Sequence, residues 1–288
     1  MNKIKINDLN KQIVVVDRLI NEYEDVLLNL FHQLKESCMN WQDGNSKLFE
    51  EKIFSEKLES NVMFNKLCDY NYIYTFIYDN YKNLGKKIEF NLNNKMSLIN
   101  NYNSIIDEFV DILNEFDNID NSFYYSEYNK IKNLKYSLMN EKYTFINLKN
   151  NIIQILDNID IIEKEVSSKI SKLNNIDVKE FNFVFNTGAL NVNNCILNEI
   201  LLQDNIDRIF DYGVEKENLL KKIITELFDN NNNYVTSNQI NLKASINDYN
   251  NINKKSNEKI EKYIDVLKKA IVIYNENQIN TINYFDNK

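Results

Sequence analysis

One unbroken apolar seam near the start of the chain restricts its fold more than any other feature. Ile6, Leu9, Ile13, Val16, Ile20, Tyr23, Leu27, Leu30, Leu34, Ser37 and Trp41 follow one another at alternating three- and four-residue steps. Each such step returns a side chain to the same side of an α-helix, which makes the run a heptad seam. Val15, Leu19 and Val26 widen the stripe, as expected of a helix that packs against more than one neighbour. The spacing predicts a helix over residues 7–39, roughly 50 Å long.

The seam breaks at Trp41-Gln42-Asp43-Gly44-Asn45-Ser46. Gly44 is expected to end the first helix in a left-handed conformation. Asn45 or Ser46 is expected to cap the next one, with Glu50 and Glu51 opposing the dipole in its first turn. Heptad spacing resumes at Phe49, Ile53, Glu56, Ser60, Met63, Leu67, Tyr70, Tyr74, Ile77, Tyr81, Leu84 and Ile88, with Glu56 and Ser60 as polar interruptions. Residues 7–90 therefore read as a long helical hairpin.

Gly85 marks a kink, and Leu92 to Phe116 carry helical spacing to a break near 118–122. A further helix runs from Tyr124 to Leu173. The alternating aromatics of Phe181-Asn182-Phe183-Val184-Phe185 suit a short strand or an extended linker that plugs into the bundle. A second hairpin follows from about residue 190. Its first arm reaches Phe228 with an interruption at Gly213, its turn is Asp229 to Asn233, and its second arm continues to Phe285. Leu190-Asn191-Val192-Asn193 echoes Ile4-Lys5-Ile6-Asn7, and Tyr234 precedes Leu242 by the same interval that separates Trp41 from Phe49. On that alignment the second hairpin is a degenerate repeat whose first arm is one heptad longer; chance echoes in an asparagine-rich chain are the competing account. The expected fold is all-α, with long antiparallel hairpins forming an elongated helical bundle or coiled coil. The expected segments are residues 1–120, 121–180 and 181–288.

Composition narrows the function classes. The chain is rich in Asn, Ile and Lys, with two Arg, three Ala and no Pro, a bias that follows AT-rich codons. The run Asn230 to Asn233 is therefore read as a solvated turn and not as a prion-like element. A 43% hydrophobic and 26% charged composition is one that folds. The net charge of −8, with lysines interspersed among acids, repels phosphate backbones and argues against nucleic-acid binding. No stretch approaches the roughly 18 apolar residues that span a bilayer. The start lacks the apolar core of a signal peptide, so the chain is expected to be secreted by a leaderless route or to stay cytoplasmic.

Chemistry is sparse. Cys38, Cys68 and Cys195 lie far apart and form no CxxC, and read as apolar fillers. His32 is the sole histidine, placed to pair with Glu36 one turn on. No ExxH pair exists for a carboxylate-bridged metal site, and four isolated glycines build no phosphate loop. No catalytic, cofactor-binding or metal-binding residues are expected. Tyr70, Tyr74 and Tyr81 lie on the second seam; Tyr72 and Tyr78 lie off it and suggest a second packing surface, covered within the chain in preference to the alternative, a partner.

Trp41 between two long heptad helices, with Phe49 eight residues later, resembles the WXG superfamily of type VII secretion systems and the longer LXG proteins of low-GC Gram-positive bacteria. Those families place glycine two residues after the tryptophan; here Asp43 stands there and Gly44 follows. The closer match is a variant turn, W-x-D-x-x-S-x-x-F, carried by Trp41, Asp43, Ser46 and Phe49. The Y-x-x-x-D/E export signal is absent: Tyr81 is followed at that distance by Gly85, and Tyr274 by Gln278. The resemblance covers residues 4–90 and, on the repeat alignment, 190–288. It implies a helical protein, export substrate or co-secreted adaptor, that pairs with a protein partner as a homo- or hetero-oligomer. Trp41, Asp43, Gly44, Ser46 and Phe49 would form the turn motif and partner interface. Helical spacing that continues to Phe285 implies a targeting or partner module and not a toxin. The alternative, resting on heptads alone, is an intracellular coiled-coil scaffold or tether.

Overall fold

A computed structural model describes residues 2–118, 125–173, 175–186 and 196–286. Its class is all-α, with six α-helices and only short strands among the described residues. In chain order the elements are β1 (Asn2–Lys5), α1 (Ile6–Asn40), β2 (Trp41–Gln42), α2 (Gly44–Tyr81) and β3 (Lys87–Phe90). A short 3-10 turn then leads into α3 (Lys95–Asp117), followed by α4 (Tyr125–Ser171), β4 (Ile196–Leu197), α5 (Glu199–Asn233), β5 (Tyr234–Val235) and α6 (Gln239–Asp286). Apart from Asn118, which caps α3, the break expected at 118–122 lies outside the described residues, as do Cys195 and the echo at 190–193.

The chain forms two compact units in place of three consecutive segments: Met1–Lys3 with Glu89–Ser168, and Ile4–Ile88 with Lys169–Lys288. The smaller unit is an antiparallel helical hairpin. Phe109 of α3 meets Phe145 of α4 at 5.4 Å, Lys149 donates to Asn103, and ion pairs join Lys95 to Asp157 and Lys135 to Asp117. Those pairings run in opposite senses along the two helices, which fixes the direction.

The larger unit is a bundle of α1, α2, α5 and α6, and the heptad seams form its core. Leu9, Val16, Leu30 and Leu34 of α1 are buried, as are Leu202, Ile209, Ile223 and Leu227 of α5. The two halves repeat. α1 and α5 are both 35 residues long, each is followed at once by an aromatic in a two-residue strand, Trp41 or Tyr234, and each then leads into a longer helix. Ile6 and Glu199, Trp41 and Tyr234, and Phe49 and Leu242 are separated by one and the same interval. α5 is thus no longer than α1, and the same interval sets Ile196–Leu197 of β4 against Lys3 and Ile4 of β1.

The halves also bind each other reciprocally. β2, which follows α1, pairs antiparallel with β4, which precedes α5, placing Trp41 opposite Leu197 and Gln42 opposite Ile196. β1, which precedes α1, lies between β3 and β5, the strand that follows α5. α1 and α5 therefore run antiparallel with both ends tied. Side chains repeat the exchange: Asn40 Nδ2 donates to Asn205 Oδ1 at 2.8 Å, and Asn233 Nδ2 donates to Gln12 Oε1. Asn40 corresponds to Asn233, and Gln12 to Asn205, under the same interval.

Several local expectations fail for identifiable reasons. Gly44 is not left-handed; Gly85 is the one positive-φ residue among those described, at 141° in the turn after α2. The reversal at residue 41 is made by extended backbone bound to β4, so no left-handed cap is needed, and Gly44 opens α2. α2 consequently starts before the position assumed, and Glu50 and Glu51 fall beyond its first turn. It ends at Tyr81, ahead of Ile88, which lies in β3. Gly213 does not interrupt α5, which passes straight through it. A Cβ there would stand 2.9 Å from Ile260 Cγ2, so the glycine permits close approach of α6. The asparagine run is no solvated turn: Asn230 and Asn231 are helical and wholly buried, and the turn comes at Tyr234.

Candidate functional site

The Trp41 turn is built from a small set of residues with separate tasks. Trp41 is 2% exposed and Phe49 is fully buried, their rings 6.1 Å apart. Asp43 has extended backbone and caps α2: its Oδ1 accepts the Ser46 N–H at 2.7 Å, while Ser46 Oγ accepts the Asp43 N–H at 3.1 Å. That reciprocal pair is a capping box, and it satisfies donors that a helix start leaves bare. Four of the five residues expected at the turn thus act together, and Gly44 contributes only the first helical position.

Asn45, expected with Ser46 as the candidate cap of α2, lies instead inside the helix that Asp43 caps, and it completes the turn. It is buried at the start of α2, accepts the Asn186 N–H at 2.7 Å and donates to the Asn186 carbonyl at 3.3 Å. Those bonds hold the aromatic segment 181–185, which is neither strand nor helix. Of the two forms expected for it, the extended linker is the one found. Phe185 lies 5.8 Å from Trp41, and Phe183 lies 5.6 Å from Phe49.

A polar cluster crosses the α2–α6 seam one step away. Glu56, read as a seam interruption, accepts from Lys259 Nζ at 2.7 Å and from the Tyr263 hydroxyl at 2.9 Å. Glu59 accepts from the same Lys259 Nζ at 2.6 Å, and its other oxygen accepts the Lys179 N–H. Lys259 is 3% exposed, so its ammonium is held between two carboxylates away from bulk water. Burial, then the Glu56 and Glu59 charges, hold the Tyr263 phenol far above its ordinary value. Further along the seam the Tyr70 hydroxyl donates to the Ser245 carbonyl, and that of Tyr249 to the Met63 carbonyl. Both of these hydroxyls find an acceptor on the opposite half.

Lys216 of α5 is different. It reaches Asn257 Oδ1 at 2.7 Å and Ser256 Oγ at 3.4 Å, both neutral groups. Burial first, then the nearby Lys259 charge, lowers its pKa to about 8, against a small opposing effect of Glu217. No periodicity marked this residue. Its counterpart in the first half is Tyr23, whose ring stacks with Phe64, the counterpart of Asn257. An apolar contact in one half is thus a polar one in the other.

The remaining candidates take ordinary positions. His32 Nε2 pairs with Glu36 Oε1 at 3.1 Å on an exposed face. Cys38 is buried, and burial, with Glu50 nearby, pushes its thiol up to about 12 despite a hydrogen bond from Ser37. Such a thiol is inert at neutral pH. Tyr72 is 59% exposed, contrary to the expected burial, and carries the Lys169 ammonium 4.8 Å over its ring. No helix among the described residues is long and apolar enough to cross a membrane. No protein-family model, curated protein or solved structure matches the chain.

Proposed function

We propose that the chain is a non-enzymatic helical pairing protein of a type VII-like secretion system, acting as an export substrate or as a co-secreted partner or adaptor. The observation that carries this reading is the turn itself. Trp41, Asp43, Ser46 and Phe49 each perform a distinct task at the point where one long helix gives way to the next. The resulting hairpin is packed against a second hairpin of the same design. In the families that the turn resembles, two hairpins from separate chains make such an assembly; here one chain supplies both. A partner protein would then meet an outer face. Phe54, Leu58 and Val62, spaced one helical turn apart on α2 and each more than half exposed, supply an apolar stripe for it. Neither a bilayer span nor a basic surface enters the reading; its partner is a protein.

The test is secretion from the native cell. The culture supernatant should hold the protein when the system's ATPase is present and lose it when the ATPase is deleted. Equal amounts in both would sink the proposal. The same exposed stripe also favours a second reading, an intracellular scaffold or tether. That reading predicts a stable homo-oligomer in light scattering and export-independent retention in the cell.

A further inference from the structure

The seating of the aromatic segment is regular even though its backbone is irregular. In an extended chain successive side chains point to opposite sides. Phe181, Phe183 and Phe185 turn toward the bundle, while Asn182, Val184 and Asn186 are exposed. Phe181 lies 4.7 Å from the Tyr263 ring and 6.2 Å from Phe49, edge-on in both cases. Phe183 meets Phe49, and Phe185 meets Trp41 with the Lys269 ammonium 5.4 Å from the centre of its ring. The two ends are pinned through backbone groups: the Lys179 N–H to Glu59, and both polar groups of Asn186 to the Asn45 amide. On the receiving side, the side chains belong to α2, α6 and β2. The segment offers three alternate anchors and a hydrogen-bonded main chain, which is how extended peptides are recognised by grooves.

We propose that this groove is a binding site for an extended peptide with aromatic residues at alternate positions, and that residues 179–186 are an in-chain ligand occupying it. The strap lies directly on Trp41 and Phe49. A partner segment of the same chemistry reaches the turn only by displacing it. The tethered strap competes at the millimolar effective concentration typical of a short linker, so the site is closed until such a competitor is abundant or the strap is loosened. This regulatory role rests on the turn being a partner interface; the binding itself does not depend on any secretion pathway.

Trp41 is the sole tryptophan and therefore reports on its own cover. The full-length chain with F181A, F183A and F185A combined should show red-shifted emission and several-fold greater acrylamide quenching than wild type. A synthetic peptide of residues 178–186 should return the emission to the blue saturably, and the same peptide with its three phenylalanines replaced by alanine should not. Unchanged Trp41 emission in the variant, or equal binding of the two peptides, would overturn the proposal. If circular dichroism shows the triple variant unfolded, F185A alone, which bares one side of the indole, is titrated with the same two peptides and judged by the same criteria. Export that proves independent of the ATPase removes the secretion reading and leaves these outcomes as they are.

Discussion

Lys216 shows how one side chain sets the pH response of a fold. Its ammonium is enclosed with only neutral partners, and its pKa falls to about 8 from an ordinary 10.5. Between those values the unfolded chain holds the proton more often than the folded chain. Stability therefore rises with pH across that window, and the whole penalty is present below it. A depression of that size corresponds to on the order of 3 kcal/mol. Lys216→Met should raise stability at pH 7 by about 1–3 kcal/mol and abolish the part of the rise between pH 8 and 10.5. Chemical denaturation of both proteins at pH 7 and pH 10 measures this; a variant less stable than wild type at pH 7 would show that the Asn257 and Ser256 bonds outweigh the burial cost. None of this was legible in the sequence. Lys216 continues the α5 seam at a position where the first half has Tyr23, and a lysine at one seam position gives no sign of whether its ammonium reaches water.

At the level of single elements, the long helices were legible and their ends were not. The seam from Ile6 to Trp41 predicted residues 7–39, and α1 is Ile6–Asn40. Heptad spacing is set by the apolar side chains themselves, so it survives in the sequence. The ends are decided by contacts with residues far away. Gly213 costs α5 about 1 kcal/mol of intrinsic helix preference, which the close approach to Ile260 outweighs. Asn230 to Asn233 favour turns in isolation but stay helical where Asn233 reaches Gln12. Two-residue strands such as β2 and β4 are too short to display an alternating pattern at all. The start of α2 is an exception, because its capping box is local. Asp43→Ala should cost about 1 kcal/mol, and Ser46→Ala on that background should cost more again, since each side chain bonds the other residue's backbone N–H and neither substitution removes that donor. Thermal or urea melts of the two single variants and the double variant decide it; a double variant as stable as Asp43→Ala alone would overturn it.

Across the larger unit, two similar halves are joined by unlike groups. Lys66 and Tyr70 occupy in α2 the places that Lys259 and Tyr263 occupy in α6, yet Glu56 and Glu59 correspond to Tyr249 and Ile252. The pair of glutamates around Lys259 is therefore not repeated around Lys66, where the neighbouring carboxylates are Asp248 and Asp69. Removing the Lys259 cation strands two carboxylates with little water, so Lys259→Met should cost about 3–5 kcal/mol. Exchanging the charges, with Lys259→Glu, Glu56→Lys and Glu59→Lys together, should recover a large part of the loss. Urea midpoints at constant slope test this; a triple variant no better than Lys259→Met would show that the Tyr263 and Lys179 bonds, not the charges, hold the cluster. The matching layout of the two halves is only partly visible in the sequence. Trp41 and Phe49 matched Tyr234 and Leu242, but the upstream anchor was set at Leu190, because apolar residues alternating with asparagine occur there by chance as well.

The reciprocal strand pairs have a consequence for synthesis. α1 is tied at both ends by residues that follow it by most of the chain length, Ile196–Leu197 at one end and Tyr234–Val235 at the other. A ribosome working at roughly 5–20 residues per second would hold the first hairpin, with its sticky side bare, for on the order of ten seconds before α5 emerges. During that interval the newborn chain is at its most vulnerable to aggregation, and a holding chaperone would find its longest opportunity there.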